Sequence, residues 1–423
     1  MSAEWQELAI GDVAEIVGGG TPSTKDEFNF NGDIPWITPK DLSGYTHRYI
    51  ARGDRNISKK GLQNSSARLL PKDTVLLTTR APVGYVAIAT NPVSTNQGFR
   101  SLILRDGYEP EFFYYLLKSN TDYLRAHASG TTFGELTGST LKGLSFRIPP
   151  LPEQRAIAHV LGTLDDKIEL NRRMNQTLET MAQALFKSWF VNFEPFRDQG
   201  MHDSALGEIP VGWRVGKLEE IAYFVKGVSY RSDDLQDSDV ALVTLKSVAR
   251  GGGYQPQGLK PYTGEYESEQ ELRPGEVIVA HTDLTQKAEV LGRAARVQAH
   301  PAVRTLVASL DLVIVRPTQH KASNEFLYGL LSRDEFQEHA YGYANGTTVL
   351  HLSTKALPEY QCIIPPLNII SDYTRIISPL YQLFDSNEMQ SSILVSIRDT
   401  LLPKLLSGEI RVRDAERFLE RAL

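Results

Sequence analysis

The chain has 423 residues, 41% of them hydrophobic and 23% charged, with a formal net charge of −6. That is too long for one hydrophobic core and too acidic for a protein that coats nucleic acid indiscriminately. No apolar run approaches the roughly 18 residues of a membrane span, and no basic-then-apolar segment opens the sequence, so a cytoplasmic protein without membrane attachment is expected.

The chain says much the same thing twice, about 216 residues apart: Gly130-Thr131 recurs as Gly346-Thr347, and Pro149-Pro150-Leu151 as Pro365-Pro366-Leu367. From the N-terminus, Trp5 and an apolar stretch at Ile10, Val13 and Ile16 lead into a glycine-rich turn, Gly18-Gly19-Gly20-Thr21-Pro22-Ser23. Four short runs then read as strands, at residues 34–37, 74–77, 85–88 and 102–104, each rich in β-branched or aromatic residues and bounded by Gly, Pro, Asn or Asp. A curved, mostly antiparallel sheet is expected for a first domain over residues 1–150, with Glu111 to Tyr123 helical. Between Arg48 and Lys72, the basic residues Arg48, Arg52, Arg55, Lys59, Lys60, Arg68 and Lys72 face Asp54 alone, a surplus whose plainest reading is a solvated face.

A long helix is expected over residues 151–195. Pro152 suits its first turn, and Ile157, Leu161, Leu164, Ile168, Asn171, Asn175, Leu178, Ala182, Leu185 and Trp189 follow in alternating steps of four and three, a coiled-coil seam with two polar layers. A linker and second domain over 196–366 restart the pattern at Trp213 and repeat the order: Val240 to Thr244 stands where Pro35 to Thr38 stood, Val277 to Ala280 echoes Val75 to Thr78, and Asn324 to Tyr328 echoes Pro110 to Tyr114. A second long helix over 367–410 carries Tyr373, Ile377, Leu380, Phe384, Asn387, Ser391, Leu394 and Leu401 in the same seam, broken at Arg398, before a short tail at 411–423. At 1.5 Å per residue each helix would reach about 60 Å, and the two are expected to pair antiparallel, with Asn171 and Asn175 set against Asn387 and Ser391. The fold class is therefore α+β.

Catalytic signatures are missing from the sequence. The glycine turn lacks the Gly-Lys-Ser/Thr ending of a phosphate loop and the second glycine pair of a dinucleotide fingerprint. The nine histidines show no metal-binding spacing. Asp165 and Asp166 are helix neighbours pointing about 100° apart, a poor arrangement for shared acid–base work. The lone cysteine, Cys362, has neither a disulfide partner nor companions for a metal, and reads as a buried structural thiol. What remains is polar loop chemistry suited to base edges and phosphates. In the first domain it comprises Thr21, Ser23, Lys25, Lys40, Thr79, Arg80, Asn96, Gln97, Thr131 and Thr132; in the second, Lys246, His281, Thr282, Gln286, Lys287, Asn345, Thr347 and Thr348.

On Gly18 to Ser23, Ile34-Pro35-Trp36-Ile37-Thr38-Pro39-Lys40-Asp41-Leu42, Ser94-Thr95-Asn96-Gln97-Gly98-Phe99, Ile148-Pro149-Pro150-Leu151-Pro152-Glu153-Gln154-Arg155, Phe186-Lys187-Ser188-Trp189-Phe190 and Leu405-Leu406-Ser407-Gly408-Glu409, the chain resembles the specificity subunit of Type I restriction-modification enzymes. The resemblance implies two target-recognition domains, each reading one half of an asymmetric, interrupted double-stranded DNA target, held apart by two antiparallel helices. It also implies two methyltransferase subunits carrying S-adenosylmethionine and restriction/translocase subunits using ATP and magnesium. This chain would then hold no cofactor or metal and catalyse nothing; the alternative is a stand-alone DNA methyltransferase or nuclease with divergent motifs. Two departures stand out: Pro366 is followed by Leu367-Asn368-Ile369-Ile370 without the Pro-Glu-Gln of the first helix, and the glycine turn becomes Lys226-Gly227-Val228-Ser229-Tyr230.

Overall fold

Each repeat opens with a strand just behind a tryptophan and closes it with the strand just before Pro-Pro-Leu. Gln6–Ala9 follows Trp5 and pairs antiparallel with Ser145–Ile148, Gln6 opposite Ile148; Arg214–Lys217 follows Trp213 and pairs with Gln361–Ile364, Arg214 opposite Ile364. The computed structural model describes residues 4–129, 134–283, 288–346, 349–415 and 417. They form two units, residues 1–169 with 394–423, and residues 170–393, so each unit takes part of both long helices.

In the first unit a five-stranded sheet runs in the order Ala14–Gly18, Arg100–Leu104, Val75–Thr79, Val83–Ala89, Tyr49–Ile50, antiparallel except for its last pair. A smaller sheet joins Arg55–Ile57, Phe30–Ile37 and Ser94–Thr95. The second unit repeats the heart of this order as Ala222–Lys226, Leu312–Pro317, Val277–Ala280, Ala294–Arg296, beside a sheet of Lys260–Pro261, Val240–Val243, Thr305–Ala308 and Glu271–Leu272. The helix expected over Glu111 to Tyr123 is two helices, Pro110–Ser119 and Thr121–Ala126. Asn120 separates them, leaving helical dihedrals at φ −101° and ψ 23° as its Nδ2 and its own N both donate to the Leu116 carbonyl, at 2.8 and 3.2 Å.

The long helices span Leu151–Phe190 and Leu367–Ser407. The second runs through Pro379 and Pro403, each of which removes one backbone donor, and tertiary packing outweighs that loss. In the first unit Leu161, Leu164 and Ile168 are buried with Leu394, Leu401 and Leu405 in the domain core, each such side chain contributing roughly 2 kcal/mol. In the second, Leu178 and Ile377 are buried and Leu380 and Phe384 partly so. There Asn171 Nδ2 donates to Asn387 O (3.3 Å) and Ser391 Oγ (3.2 Å), and Asn175 Nδ2 donates to Phe384 O (3.2 Å), so the higher number on one helix meets the lower on the other and the pair is antiparallel.

The motif residues at the helix ends have structural work. Gln154 is buried, its Nε2 donating to Pro149 O at 2.8 Å and its Oε1 accepting from Glu109 N at 2.9 Å, which fastens the first helix to its domain; Ile370, at the repeated position, is buried and apolar instead. Phe190 packs edge-on against Tyr373 and Phe326, with ring centroids 4.9 and 5.0 Å away. Gly408 ends the second helix at φ +75°, close against the Trp5 ring. Arg398, the break in the seam, pairs with Asp165 at 2.7 Å, and Asp165 also accepts from Tyr115 Oη at 2.7 Å. Arg48 corrects the reading of the basic run: it is buried against Asp166, Glu111 and Tyr115 and belongs to no phosphate-facing surface. Cys362 is buried, and burial pushes its thiol up to about 12. Among the described residues no helix is long and apolar enough to cross a membrane.

Candidate nucleic-acid interface

The polar loops of the first unit gather around Gly98. A Cβ there would lie 2.9 Å from the Pro39 ring, 3.1 Å from Asn96 Oδ1 and 3.5 Å from Arg80 O, so the Lys40 turn, the Asn96-Gln97 turn and the Thr79-Arg80 strand end share one hub. The glycine-rich turn joins from the side: Gly20 N donates to Thr95 O at 2.9 Å, and a Cβ on Gly19 would sit 2.0 Å from Asn96 O, which only glycine permits. Beyond that crossing, exposed Thr21 donates its hydroxyl to exposed Gln97, and Ser23 and Lys25 follow on the surface. Asn96 Oδ1 accepts from Gly98 N at 2.9 Å, tying the turn while leaving the amide nitrogen for a ligand. Lys40 is exposed on a turn that Asp41 pins by accepting from Thr38 N and Oγ1, both at 2.7 Å, and its ammonium lies 3.4 Å from exposed Asp54.

Arg80 is the exposed guanidinium of this cluster. Its backbone bridges Glu135, and Glu135 bridges Ser129 on its other side. Its Nη1 lies 4.0 Å from one Glu135 oxygen, while Arg100 Nη2 lies 3.5 Å from the other. Thr79 differs from expectation. It is fully buried, its N donating to Gly98 O at 2.8 Å and its hydroxyl to the same carbonyl at 3.5 Å, so it supports the hub and cannot meet a base.

The second unit rebuilds the same backbone frame with other side chains. Val228 N donates to Ala308 O at 2.7 Å as Gly20 does to Thr95, and Ser309 N donates to Val243 O at 2.9 Å as Asn96 does to Ile37 at 3.0 Å. His281 N donates to Asp311 O at 2.7 Å, placing Asp311 where Gly98 stood. Lys246 is exposed on a turn capped by Thr244, the counterpart of Lys40. Thr282 pairs with His351, which pairs in turn with Asn345, repeating Arg80, Glu135 and Ser129. The expectation for Thr282 is corrected as well: it is buried and its hydroxyl donates to Asp311 Oδ1 at 2.8 Å. His281 is partly exposed and held toward its neutral form by burial, with the nearby charges of Lys226 and His351 adding to the effect. Asn345 is exposed, its Nδ2 donating to Tyr343 O at 3.3 Å. Thr131, Thr132, Gln286, Lys287, Thr347 and Thr348 lie outside the described residues.

The structure thus brings Thr21, Lys40, Arg80, Asn96 and Gln97 around one hub and sets His281, Lys246 and Asn345 on an equivalent frame. Sequence reasoning missed Glu135, Arg100, His351 and Asp311, which belong to no motif, and saw Lys226 only as part of the altered glycine turn. The one signal for the first and third was their separation by the repeat offset of 216 residues. Among the described residues no group of three or more His, Cys, Asp or Glu side chains could hold a metal ion.

Each unit thus combines a sheet domain, a matched loop cluster and part of both long helices. The family described as Type I restriction modification DNA specificity domain matches residues 2–180. The Type I restriction enzyme MjaIX specificity subunit of Methanocaldococcus jannaschii is 38% identical, covering 97% of this chain and 94% of that protein. The HindI specificity subunit of Haemophilus influenzae is 26% identical over 96% of this chain and all of that protein. The crystal structure of a Type-I restriction-modification system S subunit from M. genitalium shares the fold, with a TM-score of 0.60 and 19% identity over 95% of this chain and 96% of that one. The chain belongs to the family of Type I restriction enzyme specificity subunits.

Proposed function

We propose that this chain reads a bipartite, asymmetric double-stranded DNA target, one half with each unit, and positions two methyltransferase subunits and the restriction/translocase subunits on it. One observation carries the reading. The same hydrogen-bonded loop frame occurs in both units, yet the ladder that holds exposed Arg80 and partly exposed Glu135 in one holds buried Thr282 and exposed His351 in the other. A constant frame with changed side chains is what two readers of different text require, because base edges are distinguished by the donors and acceptors presented to them.

S-adenosylmethionine, ATP and magnesium belong, on this reading, to the partner subunits, and the chain itself is non-catalytic. The engagement of Asp165 with Arg398 and of Asp166 with Arg48 supports a structural role for the carboxylate pair that most resembled a catalytic one. We infer a cytoplasmic location from the DNA target.

The test is reconstitution with the methyltransferase partners on random duplexes, followed by sequencing of what is bound. Enrichment of two defined half-sites across a fixed gap is expected, with affinity falling steeply with salt. Absence of any bipartite sequence, or methyl transfer or DNA cleavage by the chain alone with labelled S-adenosylmethionine or magnesium, would overturn the reading.

A further inference from the structure

We propose that Arg80 reads a guanine in the half-site of the first unit and that Glu135 is its positioning residue. This rests on the DNA-reading function above and adds the residue and the base.

Arg80 sits at the turn between Val75–Thr79 and Val83–Ala89, its side chain 54% exposed. Glu135 is fixed on both sides. Its N donates to Ser129 O at 2.9 Å, its O accepts from Ser129 N at 3.1 Å, and Leu136 N next to it donates to Thr79 O at 3.0 Å. The carboxylate therefore stands between two guanidinium groups, one oxygen 4.0 Å from Arg80 Nη1 and the other 3.5 Å from Arg100 Nη2. These groups are not equivalent. Arg100 is 25% exposed and donates from Nη1 to Phe99 O at 3.0 Å, so it is held in the scaffold behind Glu135, whereas Arg80 faces outward.

A guanidinium fork steadied by a carboxylate presents two parallel N–H donors, which match O6 and N7 of guanine; adenine offers an amino donor in place of O6 and repels the fork. A phosphate also accepts such a fork. Two features favour the base. The shared carboxylate offsets part of the positive charge that a phosphate would recruit, and it fixes a direction, which matters for a flat base edge more than for a phosphate. In the second unit the ladder position of Arg80 holds Thr282, and Lys226 opposite Val313 stands where Gly18 faces Arg100. No guanidinium occupies those framework positions, so the two half-sites differ at this point.

The test uses the complex with its methyltransferase partners carrying Arg80→Ala, Arg80→Lys or Glu135→Gln, with bound sequences read from random duplexes at one salt concentration. Arg80→Ala should turn one G·C position degenerate, with discrimination there falling roughly 5- to 150-fold. Every other position, including the entire other half-site, should stay specified, which also reports a folded complex. Arg80→Lys keeps the charge and donors to O6 and N7 but loses the planar fork, and should keep only part of the discrimination. Glu135→Gln should weaken discrimination at that position alone. Even loss of affinity across all sequences would make Arg80 a phosphate contact and overturn the proposal, as would an unchanged target. A wild-type complex that enriches no bipartite sequence would sink the DNA-reading function and this assignment with it.

Discussion

Asn387 Nδ2 donates to Asn175 Oδ1 at 2.9 Å inside the helix pair of the second unit, while Asn175 Nδ2 reaches Phe384 O and Glu388 Oε1. Both asparagines are buried, so the bond is made where water cannot replace it. Asn387→Ala should destabilise the protein by about 1–3 kcal/mol, because Asn175 Oδ1 loses its donor. Leucine at both positions should recover or exceed the original stability while loosening register. Denaturant unfolding of the single and double variants decides this; an unaffected Asn387→Ala protein would show that the polar layer carries no weight.

The Arg398–Asp165 pair is mostly shielded from water, with 19% and 14% of the side chains exposed. Breaking such a pair from one side costs more than replacing both partners, because a charge is left behind in a poor solvent. Arg398→Leu should therefore lower stability by roughly 3–5 kcal/mol, and adding Asp165→Leu should return much of it. A double-mutant cycle with no coupling between the two positions would contradict this.

Glu179 titrates above the ordinary carboxylate range because burial opposes its charge, even though Tyr328 Oη and Gln183 Nε2 donate to it. A carboxyl whose folded pKa is raised binds its proton more tightly in the folded state. Its contribution to stability is thus complete below the ordinary carboxylate pKa and is lost as pH rises through the folded value. Glu179→Gln keeps the acceptor for Tyr328 without the charge. It should melt higher than the parent at pH 7, with the gap closing as pH falls toward 4; equal melting curves at both pH values would refute the assignment.

Lys40 and Lys246 occupy matching exposed turns in the two units. If each neutralises one phosphate, Lys40→Ala and Lys246→Ala should each weaken the complex evenly across DNA sequences. Each should also reduce the slope of log affinity against log salt by about 1. Titrations at several salt concentrations measure this, and an unchanged slope would remove that lysine from the interface.

The duplicated architecture was legible because strand runs, helix seams and turn glycines are local patterns that the repeat offset reinforces. Individual side chains were harder, since the same residue type is used for support and for display. Thr79 and Thr282 carry hydroxyls in the right loops, but the hub consumes them; Arg48 adds charge to a basic run, yet folds inward to meet the first helix. Arg398 breaks the apolar seam in sequence, and only the fold sets Asp165 beside it. Glu135 and His351 carry no motif beyond their separation by the repeat offset, and only the backbone ladder gives them a place.

The first unit is built from two separated stretches: the core of residues 1–169 takes in Leu394, Leu401, Leu405, Leu406 and Ala415. The second unit is one uninterrupted stretch, residues 170–393. On the ribosome this reverses the order of completion, since the head translated second has all its material before the head translated first. The earlier head must wait with an unfinished wall, a natural point for a chaperone to act and for truncation to do disproportionate harm.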